Sequence, residues 1–474
     1  MTSTQPLILG AERITTGATI EVRSPYDGRL VGAVARAEPE HIDAAVASAR
    51  AALASGPLPA HRRAAILDAA ARELAADAER FAGLVSAEAA KPITTARGEV
   101  ARAVDTTSFS AAVARTLGGE LLPLDASSAG EGKLGFVKRV PIGVVAGISP
   151  FNFPLNLVCH KVMPAIAAGC PIVLKPASTT PLTALALAEL LLDRCGLPAG
   201  WLHVLPCPGS VADHLVVHPD VAMITFTGSP EVGWGIRARA PRAKVGLELG
   251  NNSPVIVEPD ADLGTAVAKI AAAGFSFAGQ SCISTQRVLV HASVIDEVVA
   301  ELVDRVERLV VGDPADPATD VSALIDEGET ERVEAWIAEA VAGGATVVAG
   351  GTRTADGVLR PTVLRDVTPD MEVCAGEVFG PVLAVAAYTD LDEAFRLAND
   401  SRYGLQAAIF TADLATALRA ADELDFGGVL VNEVPTWRAD HMPYGGLRDS
   451  GNTREGPAYA AREMTEPRLV VIQA

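Results

Sequence analysis

Gly143-Val-Val-Ala-Gly-Ile-Ser-Pro-Phe-Asn-Phe-Pro154 reads as a short apolar strand that ends in a turn and hands over to a helix from Pro154. The pattern recurs along the chain. Ile172–Leu174 is a strand followed by a helix after Pro181. Leu202–Leu205 is a strand followed by a helix near 210–217, and Ala222–Phe226 is a further strand. Short apolar strands alternating with helices predict a parallel sheet covered on both faces. Upstream, residues from about 40 to 116 carry apolar side chains at helical spacing, as in His41-Ile-Asp-Ala-Ala-Val-Ala-Ser-Ala-Arg50. Downstream, a second series begins at about 254 and runs to 431. Its strands lie near Gln286–Val290, Ala345–Val348, Val382–Ala387, Ala407–Phe410 and Gly428–Val431. Lys133–Val140 reads as an extended arm and Arg468-Leu-Val-Val-Ile472 as a final strand. The expectation is an α/β chain with two doubly wound parallel-sheet domains and a small β arm.

Composition narrows the class. At 474 residues the chain is too long for one ordinary core. With 49% hydrophobic and 20% charged residues it reads as a soluble globular protein. A net charge of −19 argues against nucleic acid or an anionic membrane as partner. No apolar run is long enough to span a bilayer, and Met1-Thr-Ser-Thr-Gln5 does not open a signal peptide. The six cysteines show no CxxC spacing, so neither a disulfide scaffold nor a metal site is read, and a reducing cytoplasm is expected.

Several segments carry chemistry. Phe277-Ala-Gly-Gln-Ser-Cys-Ile-Ser284 places Cys282 in a glycine-containing loop, thirty-four residues after Glu248 in Leu247-Glu-Leu-Gly250. A lone cysteine is most often an inert core residue, which is the reading for the other five. A thiol with a carboxylate at hand has a further use: it can be acylated and then released by water. Phe226-Thr-Gly-Ser-Pro-Glu-Val-Gly233 follows a strand and opens a helix, where free N–H groups suit a pyrophosphate. By itself that run is better read as a turn and cap. Leu174-Lys-Pro-Ala-Ser178 ends another strand, at the edge where α/β sheets bind ligands.

Together these segments resemble the aldehyde dehydrogenase superfamily over nearly the whole chain. The resemblance is carried by Ser149-Pro-Phe-Asn-Phe-Pro154, Phe226–Gly233, Leu247–Gly250, Gly279-Gln-Ser-Cys282, Glu377-Val-Phe-Gly-Pro381 and Pro443-Tyr-Gly-Gly446, the last followed by Ser450-Gly451 and Arg454-Glu-Gly456. It implies Cys282 as nucleophile, Glu248 as the base for the deacylating water, and Asn152 with the Cys282 N–H as oxyanion donors. It implies NAD or NADP as cofactor, beside Ser149, Pro150, Lys175, Ser178, Gly228, Ser229, Gly233, Glu377 and Phe379. Ser178 stands where NAD-preferring members often have glutamate, so repulsion of a 2′-phosphate is missing. The implied division is a dinucleotide-binding domain (1–125 and 144–250), an oligomerisation arm (126–143 and 458–474) and a catalytic domain (251–457). The arm implies a homodimer or homotetramer.

For the small-molecule aldehyde substrate the resemblance is to a subgroup acting on small polar aldehydes, among them lactaldehyde, glyceraldehyde-type and phosphonoacetaldehyde dehydrogenases. His160 and Val434-Pro-Thr-Trp-Arg-Ala-Asp-His-Met-Pro443 carry it. Arg438 at a pocket mouth suits an acidic tail; the plain alternative is an ion pair with Asp440. His160 reads first as a satisfied core histidine. Ser281 replaces the arginine that phosphonoacetaldehyde enzymes place before the nucleophile, which favours a hydroxyaldehyde or a singly charged semialdehyde. Two other readings stand beside this one. A CoA-acylating semialdehyde dehydrogenase is disfavoured by the presence of Glu248, and a non-catalytic relative by the intact Cys282, Glu248 and Asn152. Activity is expected to rise with pH as Cys282 ionises; an unperturbed thiol does so at about 8.5 and an activated one lower.

Overall fold

The computed structural model describes residues 4–240 and 242–473. Two seven-stranded sheets organise it. In the first, the strands run in the order Lys244–Glu248, Val221–Thr227, Val144–Ile148, Ile172–Lys175, Leu202–Val204, Leu7–Leu9, Glu12–Ile14. The first five are mutually parallel and the last two add antiparallel. Val145, Ile172 and Leu174 face one core; Val144, Ala146 and Val173 face another. Both faces are therefore covered, and the strands read as continuous apolar runs rather than alternating ones.

The helices expected from about 40 to 116 are Pro39–Ala54, Ala60–Ala76, Ala78–Ala89 and Ile93–Thr116. The helix expected from Pro154 spans Asn156–Ala168. Its first N–H groups are satisfied from outside: Glu99 accepts from Leu155 N at 2.9 Å and Asn156 N at 3.1 Å. Glu99 is in turn paired with the fully buried Lys91. An acidic partner at a helix N-terminus offsets free donors and the helix dipole together.

The second sheet runs Thr346–Ala349, Thr362–Arg365, Val382–Tyr388, Arg287–His291, Pro254–Val257, Gln406–Phe410, Gly428–Val431, and all neighbours are parallel except the first pair. Four of its helices begin at an aspartate, Asp262, Asp326, Asp390 or Asp413, that accepts from the backbone N–H three residues on. The expected arm and final strand pair antiparallel as Lys133–Pro141 with Thr465–Gln473, and Glu120–Leu122 adds a third strand. Strands at Leu7–Leu9, Glu12–Ile14, Thr19–Arg23, Leu30–Ala35, Lys244–Glu248 and Thr362–Arg365 were not anticipated from the sequence. Among the described residues no helix is long and apolar enough to cross a membrane.

Candidate active site

In the first sheet the chain leaves Val144–Ile148 in one direction along the sheet and reaches Val221–Thr227 on its other side. That reversal opens a crevice at the carboxyl ends of the strands. The register aligns Ile148 with Lys175, Phe226 with Ile148, and Thr227 with Glu248. Ser149, Lys175, Gly228 and Glu248 thus share one sheet edge. Ser149 N donates to Lys175 O at 3.2 Å, and Gly228 N to Glu248 O at 3.1 Å. Ser149 Oγ is buried and bonds to no atom among the described residues. Pro150 follows it in the turn. Ser229 opens the helix Pro230–Arg239, and Gly233 N donates back to Ser229 O at 3.0 Å. Ser178 is committed to Cys207 O at 3.0 Å. Lys175 is half-buried, and burial lowers its pKa.

The cysteine loop comes from the second half of the chain. Phe277, Ala278 and Gly279 take positive φ in succession (49°, 52° and 73°). Two non-glycine residues there store strain, which the surroundings must hold in place. A Cβ on Gly279 would lie 2.1 Å from Gly380 O, so this loop packs its bare backbone onto the Glu377-Val-Phe-Gly-Pro381 turn. Phe379, also at positive φ (47°), sets its ring edge-on to Phe151 at 5.9 Å. Glu377 accepts from Asn251 N at 3.0 Å, and burial pushes its carboxyl up to about 7.

These elements converge on Cys282. Asn152 Nδ2 donates to Gln280 O at 3.0 Å, so the turn after Ile148 is tied to the cysteine loop two residues before the sulfur. The second Nδ2 hydrogen and Asn152 Oδ1 remain free of protein partners among the described residues. The amide orientation is assigned from this bonding. Glu248 is buried, with both carboxylate oxygens unbonded. Burial and then the charge of Glu455 raise its pKa well above the usual carboxylate range, against Arg438, Lys161 and Arg454. The C-terminal turn closes on it: a Cβ at Gly445 would stand 2.7 Å from Glu248 Oε1. Cys282 is half-buried, and its sulfur lies 2.9 Å from the Tyr444 hydroxyl. Burial pushes its thiol up to about 12, and the charges of Glu377 and Glu248 push the same way. Burial thus disfavours the thiolate at this site.

Ser281 folds back on its own loop, its N–H donating to Gly279 O at 2.9 Å. Arg438 is not at an open mouth. Its side chain is 3% exposed, its guanidinium lies 3.8 Å from the Tyr444 ring centroid, and it donates to Glu455 Oε2 at 3.1 Å. The nearest approach to Asp440 is 4.0 Å, so Glu455 is the main ion-pair partner. Asp440 belongs instead to Arg102 (2.9 and 3.1 Å), Asn156 Nδ2 (3.0 Å) and His160 Nε2 (2.9 Å). His160 Nε2 also lies 3.0 Å from Arg438. Burial, with Arg438 beside it, lowers the pKa of that imidazole, against the pull of Asp440 and Glu455. Sequence reading missed Tyr444, Glu455, Lys161, Asn156 and Arg102. Two of them, Tyr444 and Glu455, stand inside quoted motifs, which was the available signal.

Cys282, the Asn152 amide and a Glu248 carboxyl with no hydrogen-bond partner among the described residues thus stand together, beside a crevice of the dinucleotide-binding type. The model of the aldehyde dehydrogenase family matches residues 13–470, and the chain belongs to that family, whose members oxidise aldehydes with NAD(P). It is 46% identical over 468 residues to a 3-sulfolactaldehyde dehydrogenase of Priestia aryabhattai, covering 98% of this chain and 97% of the relative. The fold matches aldehyde dehydrogenase 21 of Physcomitrella patens, solved with its reaction product succinate, at TM-score 0.97 and 40% identity, covering 100% and 99% of the two chains. It matches the NADP-dependent glyceraldehyde-3-phosphate dehydrogenase of Bacillus halodurans, solved with NADP, at TM-score 0.96 and 37% identity, covering 100% of both.

Proposed function

We propose that this chain oxidises a small polar aldehyde, bearing a hydroxyl or an acid group, to its carboxylic acid through a thioester on Cys282, with NAD or NADP. The observation that carries the reading is the buried, unbonded carboxyl of Glu248, whose charge acts on the Cys282 sulfur. Unpaired buried polar groups are costly and concentrate where a reaction uses them.

The thiol first loses its proton, and Sγ attacks the aldehyde carbon. The carbonyl electron pair moves onto oxygen, toward the free Asn152 Nδ2 hydrogen and the Cys282 N–H. A nicotinamide held at this crevice would supply the hydride acceptor that oxidation of the aldehyde carbon requires. Ser149 Oγ, Lys175, Gly228, Ser229, Gly233 and Glu377 hold the dinucleotide; the unbonded Ser149 hydroxyl at the crevice edge fits that task. Glu248 then takes a proton from water, which attacks the thioester carbon and expels the thiolate. A base whose pKa is raised toward the working pH does this better than an ordinary carboxylate.

The reading of a small polar substrate rests on the relatives, because Arg438 is paired with Glu455, and Arg102 and His160 with Asp440. The Priestia relative is named for a hydroxylated sulfonate aldehyde and the moss enzyme was solved with a dicarboxylate product. The first sheet serves as the dinucleotide-binding domain and the second as the catalytic domain. The exposed Leu121, Leu469, Val471 and Ile472 of the three-stranded sheet support a dimer or tetramer. The free state of all six cysteines accords with a cytoplasmic enzyme.

The test is a panel of hydroxyaldehydes, acid semialdehydes and aliphatic aldehydes, each with NAD and NADP. Cys282-dependent nicotinamide reduction, with free acid as product, is expected, and with the highest kcat/KM for polar tails. Acyl-CoA formation that requires CoA contradicts it.

A further inference from the structure

Pro443-Tyr-Gly-Gly446 brings a group that the steps above leave idle. The Tyr444 hydroxyl is 2.9 Å from Cys282 Sγ. Its backbone is fixed by a two-way bridge, Tyr444 N to Glu455 O at 3.2 Å and Glu455 N to Tyr444 O at 2.6 Å. One face of the ring carries the Arg438 guanidinium at 3.8 Å, itself held by Glu455. Ile283, Leu405 and Met442 pack around the same ring and the sulfur. The ring is 3% exposed and has no room to swing, so the hydroxyl is held at the thiol.

We infer that Tyr444 is a catalytic residue whose hydroxyl donates to the Cys282 thiolate, stabilising the nucleophile before attack and holding its sulfur in place. The inference rests on the reading of Cys282 as nucleophile. While the thiol is neutral, either atom can donate. Once the proton has left for solvent or a base, only the hydroxyl can, and a hydrogen bond to a charged sulfur is the stronger kind. Tyr444 does not take that proton, because its own is retained: burial, then the neighbouring sulfur, raise its pKa well above the ordinary phenol range. The charged groups that act on Cys282 from the surrounding elements are Glu377 and Glu248, which oppose ionisation, and Arg438, which favours it from behind the ring. Lys161, His160 and Glu455 stand one layer further back, around Arg438 and Glu248. Of the influences that favour the thiolate, the Tyr444 hydrogen bond is the largest.

Tyr444→Phe keeps the ring and its stack on Arg438 and deletes only the hydroxyl. The experiment measures alkylation of Cys282 by iodoacetamide, without cofactor or aldehyde, as a function of pH, read on the Cys282 peptide by mass. The variant is expected to alkylate about tenfold more slowly near neutral pH, with the difference closing at strongly alkaline pH, because reactivity follows the thiolate fraction. Replacing the five tyrosines of the chain by 3-fluorotyrosine, a stronger donor, is expected to speed alkylation instead. Superimposable profiles for wild type and Tyr444→Phe overturn the inference, as does no acceleration by fluorotyrosine. Persistence of dehydrogenase activity in Cys282→Ala is a separate result: it removes the nucleophile reading and leaves the alkylation profiles unchanged in meaning.

Discussion

Asp440 and Glu248 are both buried carboxylates in the walls around Cys282, and they live in opposite surroundings. Asp440 receives two hydrogen bonds from Arg102, one from Asn156 and a contact from His160. Burial works against its charge, but the His160 bond and the Arg102 charge overcome it and hold its pKa far below the usual carboxylate range. Glu248 receives no hydrogen bond among the described residues, and burial raises its pKa. One wall spends its polar groups on each other and becomes rigid. The other keeps a proton-accepting group unspent. Two carboxyls driven apart in this way mark which is architecture and which is chemistry.

The sharpest way to break this contrast is Glu248→Gln. Turnover is expected to fall about 10²- to 10⁴-fold, the range for loss of a positioned base, with the melting temperature unchanged or higher. A normal steady-state rate contradicts the assignment. Asn152→Ala comes next, with a loss of about 10²- to 10³-fold in kcat from one missing oxyanion donor. A rise in KM alone, with kcat intact, places Asn152 outside the reacting centre.

Asp440→Asn tests the opposite wall. It is expected to cost about 3 kcal/mol of stability in denaturant unfolding, at the low end for a broken buried pair because Arg102 is 30% exposed. A variant as stable as wild type removes the architectural reading. The smallest effect expected is in the pH profile. Glu248 and Cys282 both have raised pKa values, so their reactive, deprotonated forms appear only as pH rises. The rate is expected to climb from neutral into alkaline pH, and Glu248→Gln to remove the lower part of that climb. A rate that falls over this interval contradicts both shifts.

Much of this was legible in the sequence, and the limits have physical reasons. Strands of the parallel sheets announced themselves because burial on both faces makes them runs such as Val144–Ile148. Leu7–Leu9 and Thr362–Arg365 are three and four residues long, too short for any period to register. Lys244–Glu248 begins with a lysine and ends with the glutamate of the site, so it lacks the apolar signature of a central strand. Cys282, Glu248 and Asn152 stood in motifs. Asp440 and His160 stood in one as well, but their pairing with each other, Arg102 and Asn156 did not show, because those partners lie 280 to 338 residues from Asp440 along the chain. The raised pKa of Cys282 was not foreseeable either, since it comes from burial and from the charges of Glu377 and Glu248, which only the folded chain brings to the sulfur.

The central claim is a covalent bond between the substrate carbon and one sulfur. Glu248→Gln, incubated with a turned-over aldehyde and NAD(P) and quenched in acid, is the place to look for it. Peptide mass analysis is expected to find Cys282 carrying the acyl group of that aldehyde. An unmodified Cys282, with acid product still released, contradicts the account.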